Sequence, residues 1–169
     1  MSPEVWLRGA IEGIAPLLQP AAHSLLQVRE ELARVIPAMS ADELAATPAG
    51  AASVSYHARH LAGSIDRLFT YARGESLSEA QLTALRAESQ ASPVTPESLL
   101  DIVHGAIDGA LAELRSWSER GDALLVPRAV GRAQLPSTVL GLLFHAAEHA
   151  QRHAGQIATT SRIVRSGAG

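Results

Sequence analysis

Residues 142–157 read Leu-Leu-Phe-His-Ala-Ala-Glu-His-Ala-Gln-Arg-His-Ala-Gly-Gln-Ile, and they hold three of the seven histidines of the chain. His145, His149 and His153 recur at intervals of four residues, so in an α-helix all three project from nearly one side. Two imidazoles one helical turn apart can bind the same metal ion, as they do in other helical zinc motifs. The stretch therefore predicts a helix that carries part of a metal site.

The apolar spacing of this helix separates the three histidines. Alternating steps of four and three residues, which are typical of a bundle helix, connect one line of positions: Leu135, Val139, Leu142, Ala146, His149, His153, Gln156 and Thr160. His149 and His153 occupy successive positions on this line, whereas His145 lies one position beside it. We expect the first two to face the interior. We expect His145 to stand next to them, where it supports a ligand or faces a substrate.

Two further histidines lie on a second predicted helix, within Ser-Val-Ser-Tyr-His-Ala-Arg-His-Leu-Ala-Gly-Ser at residues 53–64. At 100° per residue, His57 falls about 60° from the centre of the apolar stripe and His60 about 120°. Periodicity alone favours His57 as an inward-facing residue. A bundle helix touches two neighbours, however, so the edge of the stripe can also face a central cavity. Both residues remain candidates at this point.

Helical periodicity extends over most of the chain, and no segment alternates strongly with period two. We predict long helices at 21–39, 53–73, 96–120 and 135–165, with short helices near 40–44 and 78–88 in the connections. Ser53 and Thr95 are predicted N-caps, and Gly74 is a predicted helix end. This pattern indicates an all-α four-helix bundle. We divide the chain into a lead-in segment with a short helix at 1–20, a bundle domain at 21–165 and a frayed tail at 166–169.

The composition excludes several classes of function. The chain has no cysteine, so thiolate metal sites and cysteine nucleophiles are excluded, and any thiol chemistry must use a thiol from outside the chain. A net charge of −3 predicts no nucleic-acid partner and no anionic membrane surface. No apolar run is long enough to span a bilayer, and no signal peptide is recognisable. We therefore expect a cytoplasmic protein with a small-molecule substrate.

The remaining polar candidates have more ordinary interpretations. Glu148 can accept a hydrogen bond from an imidazole, but we favour a solvated carboxylate. Arg59 and Arg152 can meet an anionic substrate, but we favour surface arginines in pairs four residues apart. For His23 and His104, which lie off the main seams, we expect solvated or locally hydrogen-bonded roles.

The residues 149–157, His-Ala-Gln-Arg-His-Ala-Gly-Gln-Ile, fit a His-x-x-x-His-x-Gly-Gln-aliphatic motif, and His-Leu-Ala at 60–62 fits a second motif. Together they resemble the DinB-like superfamily of metal-dependent four-helix bundles over residues 21–165. The stretch Val-Gly-Arg-Ala-Gln-Leu-Pro at 130–136 looks like a subgroup signature before the last helix. The chain departs from the family at Ala52, where a tryptophan is common.

The resemblance implies a divalent metal held by three histidines, which carry over to His60, His149 and His153. His57 is the second choice in place of His60. It also implies a homodimer, and the family name refers to a stress response to DNA damage. Imidazole suits both Zn²⁺ and Ni²⁺, and the sequence does not choose between them.

Characterised members of the family resemble S-transferases that use low-molecular-weight thiols. We therefore expect a metal-dependent thiol S-transferase, with a low-molecular-weight thiol as co-substrate. The alternatives are a metal-dependent hydrolase and a non-catalytic, stress-related metal-binding or dimerisation module.

Overall fold

The computed structural model describes residues 3–90 and 93–167. The described part is mainly helical, and its helices are α1 (Gln19–Val35), α2 (Ala41–Ala45), α3 (Val54–Arg73), α4 (Glu79–Ala87), α5 (Pro96–Ser118) and α6 (Val139–Arg165). A hairpin of two short strands, β1 (Pro127–Val130) and β2 (Leu135–Thr138), precedes α6. The prediction of an all-α bundle is confirmed.

The four long helices form the bundle, in which α6 packs against α1 and α3, and α5 packs against the same two helices. The relative directions of the helices follow from hydrogen-bonded residue pairs between neighbouring helices. Ser24 reaches Ala147 and Gln151 reaches Glu31, so α1 and α6 are parallel. On the other side of α1, the Ala15–Ser118 and Arg29–Asp108 bonds make α5 antiparallel to α1.

Two histidine pairs show in the same way that α3 runs antiparallel to α6, because His57 meets His153 and His60 meets His149. Hence α3 and α5 are parallel to each other. A parallel pair needs a connection that returns along the length of the helix. That connection contains α4, which lies beside α3 with Gln81 hydrogen-bonded to Asp66 and Thr70. The return path brings the end of α4 to the middle of α3, next to His60.

The predicted helix ends are correct for α3 and for the start of α5. Ser53 accepts a hydrogen bond from the Tyr56 amide, and Thr95 accepts one from the Ser98 amide. Such caps typically contribute about 1 kcal/mol each. Gly74 ends α3 with a φ of 84°, in the left-handed region that glycine adopts at low cost.

The core consists of aliphatic side chains from all four long helices. Burial of each leucine contributes roughly 1.5–3 kcal/mol, which makes this cluster the main source of stability. On α6 the buried face is wider than the predicted line, because the helix packs against two neighbours. Gln156, predicted on the seam, is exposed, and Ile157 is buried in its place.

The prediction that the last helix begins near residue 135 was wrong. Residues 135–138 form β2, in which Pro136 lies opposite Ala129, and the helix begins at Val139 with Thr138 as its cap. The turn between the strands uses positive φ angles of 66° at Gly131 and 51° at Gln134. Strands of four residues are too short for a period-two signal to stand out.

The lead-in segment also differs from the prediction. It contains two single 3₁₀ turns, Val5–Arg8 and Pro16–Leu18, where we predicted a short helix. Pro20 lies in the first turn of α1, where its missing N–H costs nothing, so it begins a helix that we expected it to precede. Of the predicted tail at 166–169, the last two positions lie outside the described residues, and α6 ends at Arg165 as predicted.

Candidate metal centre

Three histidines from two helices direct their Nε2 atoms at one point. The Nε2 atom of His149 lies 3.1 Å from Nε2 of His60 and 3.1 Å from Nε2 of His153. One nitrogen from each of the three residues lies within 4.8 Å of the other two. His149 and His153 come from successive turns of α6, and His60 faces them from the middle of α3. This group could hold a metal ion.

The spacing of the nitrogens fits a transition metal. Two nitrogens that are each about 2.0–2.1 Å from one Zn²⁺ ion lie about 2.9–3.4 Å apart when the angle at the metal is about 90–110°. The two separations of 3.1 Å fall inside this range. Three protein ligands would leave at least one position of a four-coordinate ion open, as in catalytic sites.

A buried carboxylate orients the imidazole of His60. Its Nδ1 lies 2.7 Å from Oε2 of Glu88, which is only 8% exposed. An ionised carboxylate only accepts hydrogen bonds, so Nδ1 of His60 carries the proton and donates. The lone pair of the ring then lies on Nε2, which faces the site. The ring of Tyr56, one turn earlier on α3, stacks on His60 at 5.6 Å and an interplanar angle of 9°.

Glu88 is itself held by a second cation. The guanidinium of Arg67 donates from Nη1 to Oε1 of Glu88 at 2.6 Å and from Nη2 to Ser64. Gly63 makes this approach possible, since a Cβ there would lie 2.4 Å from Oε1 of Glu88 and 2.7 Å from Nη1 of Arg67. Burial would raise the pKa of Glu88, but the hydrogen bonds from His60 and Arg67 outweigh it and lower that pKa.

The roles of Glu88, Arg67 and Gly63 were not predicted from the sequence. Helical spacing could have indicated part of this group of residues. Ser64 and Arg67 follow His60 by four and seven residues, so they lie on the same face of α3. Glu88 follows the last turn of a different helix, and only the path of the connection brings it to His60.

His57 lies on the far side of His153 from the three converging nitrogens. Its Nδ1 is 3.0 Å from Nδ1 of His153, and the residue is 7% exposed. One of these two nitrogens must carry a proton for the bond to form. If His153 supplies that proton, its Nε2 presents a lone pair to the site. His57 therefore supports a member of the group and does not belong to it.

Burial keeps the inner imidazoles neutral. It lowers the pKa of His153 to about 4, with further contributions from His149, His60 and His57. Burial also lowers the pKa values of His149 and His57, and the neighbouring His60 adds to both effects. Neutral imidazole is the form that binds a metal, so the site is prepared to bind one near neutral pH.

A groove with a volume of about 310 Å³ opens beside the histidines. His60, His149 and His145 line it together with apolar side chains of α3 and α4. His145 is half exposed, as its position beside the seam predicted, and its Nδ1 lies 3.2 Å from Oε2 of Glu148. The same carboxylate pairs with Arg152, so the prediction of an i,i+4 surface pair is correct for Arg152.

The other polar candidates lie elsewhere. Arg59 donates to the carbonyl of Gln90 and lines a separate pocket. His23 bonds the carbonyl of Gly9, a local role of the predicted kind. Nε2 of His104 is buried with no hydrogen-bond partner in the described part of the chain, so this nitrogen is neither solvated nor locally hydrogen-bonded as we predicted.

The sequence of this chain matches that of a known protein family. The sequence profile of the DinB superfamily matches residues 24–157, which is most of the chain. The chain belongs to the DinB superfamily. This superfamily is metal-binding, in agreement with the convergent histidines of this member.

A solved structure described as a conserved protein from Enterococcus faecalis is similar in fold. It shares 19% sequence identity with this DinB-superfamily chain and has a TM-score of 0.61. The match covers 88% of this chain and 97% of the other. No curated protein matches the chain. In residues 3–90 and 93–167, no helix combines the length and the apolar content needed to cross a membrane.

Proposed function

We propose that this chain is a metal-dependent enzyme of the thiol S-transferase type, with Zn²⁺ or Ni²⁺ held by Nε2 of His60, His149 and His153. The convergence of these three nitrogens beside an open groove carries the proposal. A purely structural zinc site usually has four protein ligands. Three imidazoles beside a groove leave room for a ligand from solution.

The surrounding residues orient the three imidazoles. Glu88 fixes the tautomer of His60, and Arg67 holds Glu88 in place. His57 occupies the second nitrogen of His153, while burial keeps that ring neutral. A bound divalent ion would lower the pKa of a thiol or water that coordinates it.

The chain itself contains no cysteine, so the sulfur must come from a low-molecular-weight thiol. In the proposed reaction the thiol gives up its proton, and its sulfur forms a bond to an electrophilic carbon. The leaving group departs with the electron pair of the broken bond. The leucines at 68 and 85, which line the groove, would contact the apolar part of the electrophile.

Hydrolysis is the second candidate, and in it we assign His145 the role of the base. His145 lines the same groove as His60 and His149, and Glu148 lies within ion-pair distance of its Nδ1. A His–Glu pair of this kind can accept a proton from water. The same pair can accept the proton of a thiol, so His145 serves either reaction.

The test uses untagged protein, since a histidine tag would bind metal by itself. We expect close to one equivalent of a transition metal, and conjugation of an electrophile with a low-molecular-weight thiol that a chelator abolishes. Less than a tenth of an equivalent, with no uptake on titration, would overturn the metal proposal. Metal uptake with hydrolysis of ester or amide substrates, and no thiol transfer, would favour the second candidate.

We further propose that the enzyme acts as a homodimer, as the family resemblance implies, and that it acts on a small molecule in the cytoplasm. Light scattering of the purified protein measures the mass in solution. A mass of one chain at micromolar concentration would contradict the dimer.

A further inference from the structure

A second cavity adjoins the groove beside the histidines. Tyr71 and Leu77 line both the metal-side cavity of about 310 Å³ and a hairpin-side cavity of about 570 Å³. The two cavities are therefore neighbours, and these two side chains lie at the boundary between them. Eleven residues separate His60 from Tyr71 on α3, which corresponds to roughly 16 Å along the helix axis. An extended molecule could lie with one end at the histidines and the other at the hairpin.

Arg128 on β1 lines the hairpin-side cavity and is held in one position. Its Nε donates to the carbonyl of Ala72 at 2.7 Å, and its Nη1 donates to the carbonyl of Pro127 at 3.0 Å. The side chain passes over Gly74, where a Cβ would meet Nε at 3.5 Å. The hydrogen bond from Nε satisfies a backbone carbonyl near the end of α3. Nη2, in contrast, has no hydrogen-bond partner among the described residues. The guanidinium is thus half-buried and fixed, with donors left over.

The cavity has an excess of positive charge. Arg132, in the turn of the hairpin, also lines it, and in the described part of the chain neither Arg128 nor Arg132 has a carboxylate partner. The lining also includes Glu75, whose Oε2 accepts a hydrogen bond from Arg73 at 2.9 Å, although Arg73 also pairs with Glu113. The lining itself therefore carries two guanidinium groups against one carboxylate. Two unpaired guanidinium groups at the end of an apolar groove are suited to an anion, because guanidinium binds carboxylate with paired hydrogen bonds.

We propose that the two cavities form one binding groove for an extended substrate with a terminal carboxylate. Its reacting end lies at His60 and His149, its apolar middle lies against Tyr71 and Leu77, and its carboxylate binds Arg128 and Arg132. This inference rests on the proposed function, because it assigns the reacting end to the metal. It also gives a role to the residues 130–136 that the sequence singled out.

The test uses the full chain loaded with Co²⁺, whose thiolate absorption reports binding of sulfur to the metal. Four thiols that differ in chain length and in the terminal group are compared: mercaptoundecanoic acid, mercaptoundecanol, mercaptopropionic acid and mercaptopropanol. We expect the long acid to bind about tenfold more tightly than the long alcohol, the order of one charge-assisted hydrogen bond. The short acid should show no advantage over the short alcohol, since its carboxylate cannot reach the hairpin.

Variants assign the effect to the arginines. Arg132→Gln, in an exposed turn, should reduce the advantage of the long acid at least threefold and leave the long alcohol unchanged. Arg162→Gln, which removes one charge from an exposed site on α6, is the control and should change neither. Arg128→Lys keeps the charge without the fixed guanidinium and should also reduce the advantage.

The possible failures are distinguishable. Equal binding of the long acid and the long alcohol would overturn the carboxylate site while leaving the metal site intact. An advantage that survives Arg132→Gln and Arg128→Lys would overturn the assignment to these arginines. If no thiol changes the cobalt absorption, the proposed function itself fails.

Discussion

Nδ1 of His60 and Oε2 of Glu88 lie 2.7 Å apart, and they join the middle of α3 to the end of α4. Carboxylate–imidazole pairs of this kind orient metal-binding histidines and increase their basicity. Here the carboxylate arrives on the connection that the parallel arrangement of α3 and α5 requires. The bundle topology and the chemistry of the site are therefore linked through one residue.

Replacing Glu88 tests this link. We expect Glu88→Gln to weaken metal binding by about 10–100-fold, because the amide no longer favours the Nε2 lone pair of His60. Competition with a chromophoric chelator measures the affinity. Glu79→Gln is the matched control, since Glu79 lies at the opposite end of α4 from Glu88 and its side chain is 90% exposed. Equal affinities of the two variants would refute a supporting role for Glu88.

Gly63→Ala should damage the same contact by steric means. The added Cβ would lie 2.4 Å from Oε1 of Glu88, so the carboxylate or Arg67 must move. We expect weaker metal binding, with Gly105→Ala on α5 as the control. A Cβ at Gly105 meets nothing within 4 Å, and the change should stabilise the protein by about 0.5–1 kcal/mol. Metal affinity unchanged by Gly63→Ala would show that the site tolerates the displacement.

His60→Ala and His57→Ala distinguish a ligand from its support. We expect loss of metal from the His60 variant, since one of three converging nitrogens is removed. The His57 variant should retain metal with an affinity reduced about 10–100-fold, because it loses only a partner of His153. Elemental analysis after dialysis provides the measurement. The opposite result, with metal lost only from the His57 variant, would exchange the roles of the two residues.

The metal-free protein should lose stability as the pH falls from about 6.5 to about 4. The pKa of His153 is lowered to about 4 in the folded protein, against about 6.5 in the unfolded chain. Within this window the unfolded state binds more protons, so the free energy of unfolding rises with pH and falls on acidification. Urea unfolding at several pH values measures it. His153→Asn should flatten the dependence, and an unchanged slope would contradict the assignment.

Two adjacent residues on α6 test the core. Leu143 is fully buried, and we expect Leu143→Ala to lower the free energy of unfolding by about 2–5 kcal/mol. Phe144 is 56% exposed, and Phe144→Ala should change it by about 0.5 kcal/mol or less. Chemical denaturation compares them. A large loss for Phe144→Ala would show that this ring is covered in solution, as a dimer interface would require.

The sequence alone determined the helical bundle and the inward pair on α6. Apolar spacing is a local property of each helix, so it placed the four long helices, and the spacing of four residues brought His149 and His153 to one side. Periodicity on α3 favoured His57, whereas the family motif favoured His60. In the structure, His60 belongs to the group of three converging histidines, and His57 is hydrogen-bonded to His153.

Only the tertiary structure decided what surrounds these histidines. The partner of His60 is Glu88, which comes from another helix, and its position depends on the route of a connection. The hairpin before α6 was also not predicted from the sequence. Its four-residue strands carry no clear local period, and they are stabilised by pairing with each other. Local spacing determines which face a residue occupies on its own helix. Contacts between distant segments arise from packing, and they determine which residue it meets there.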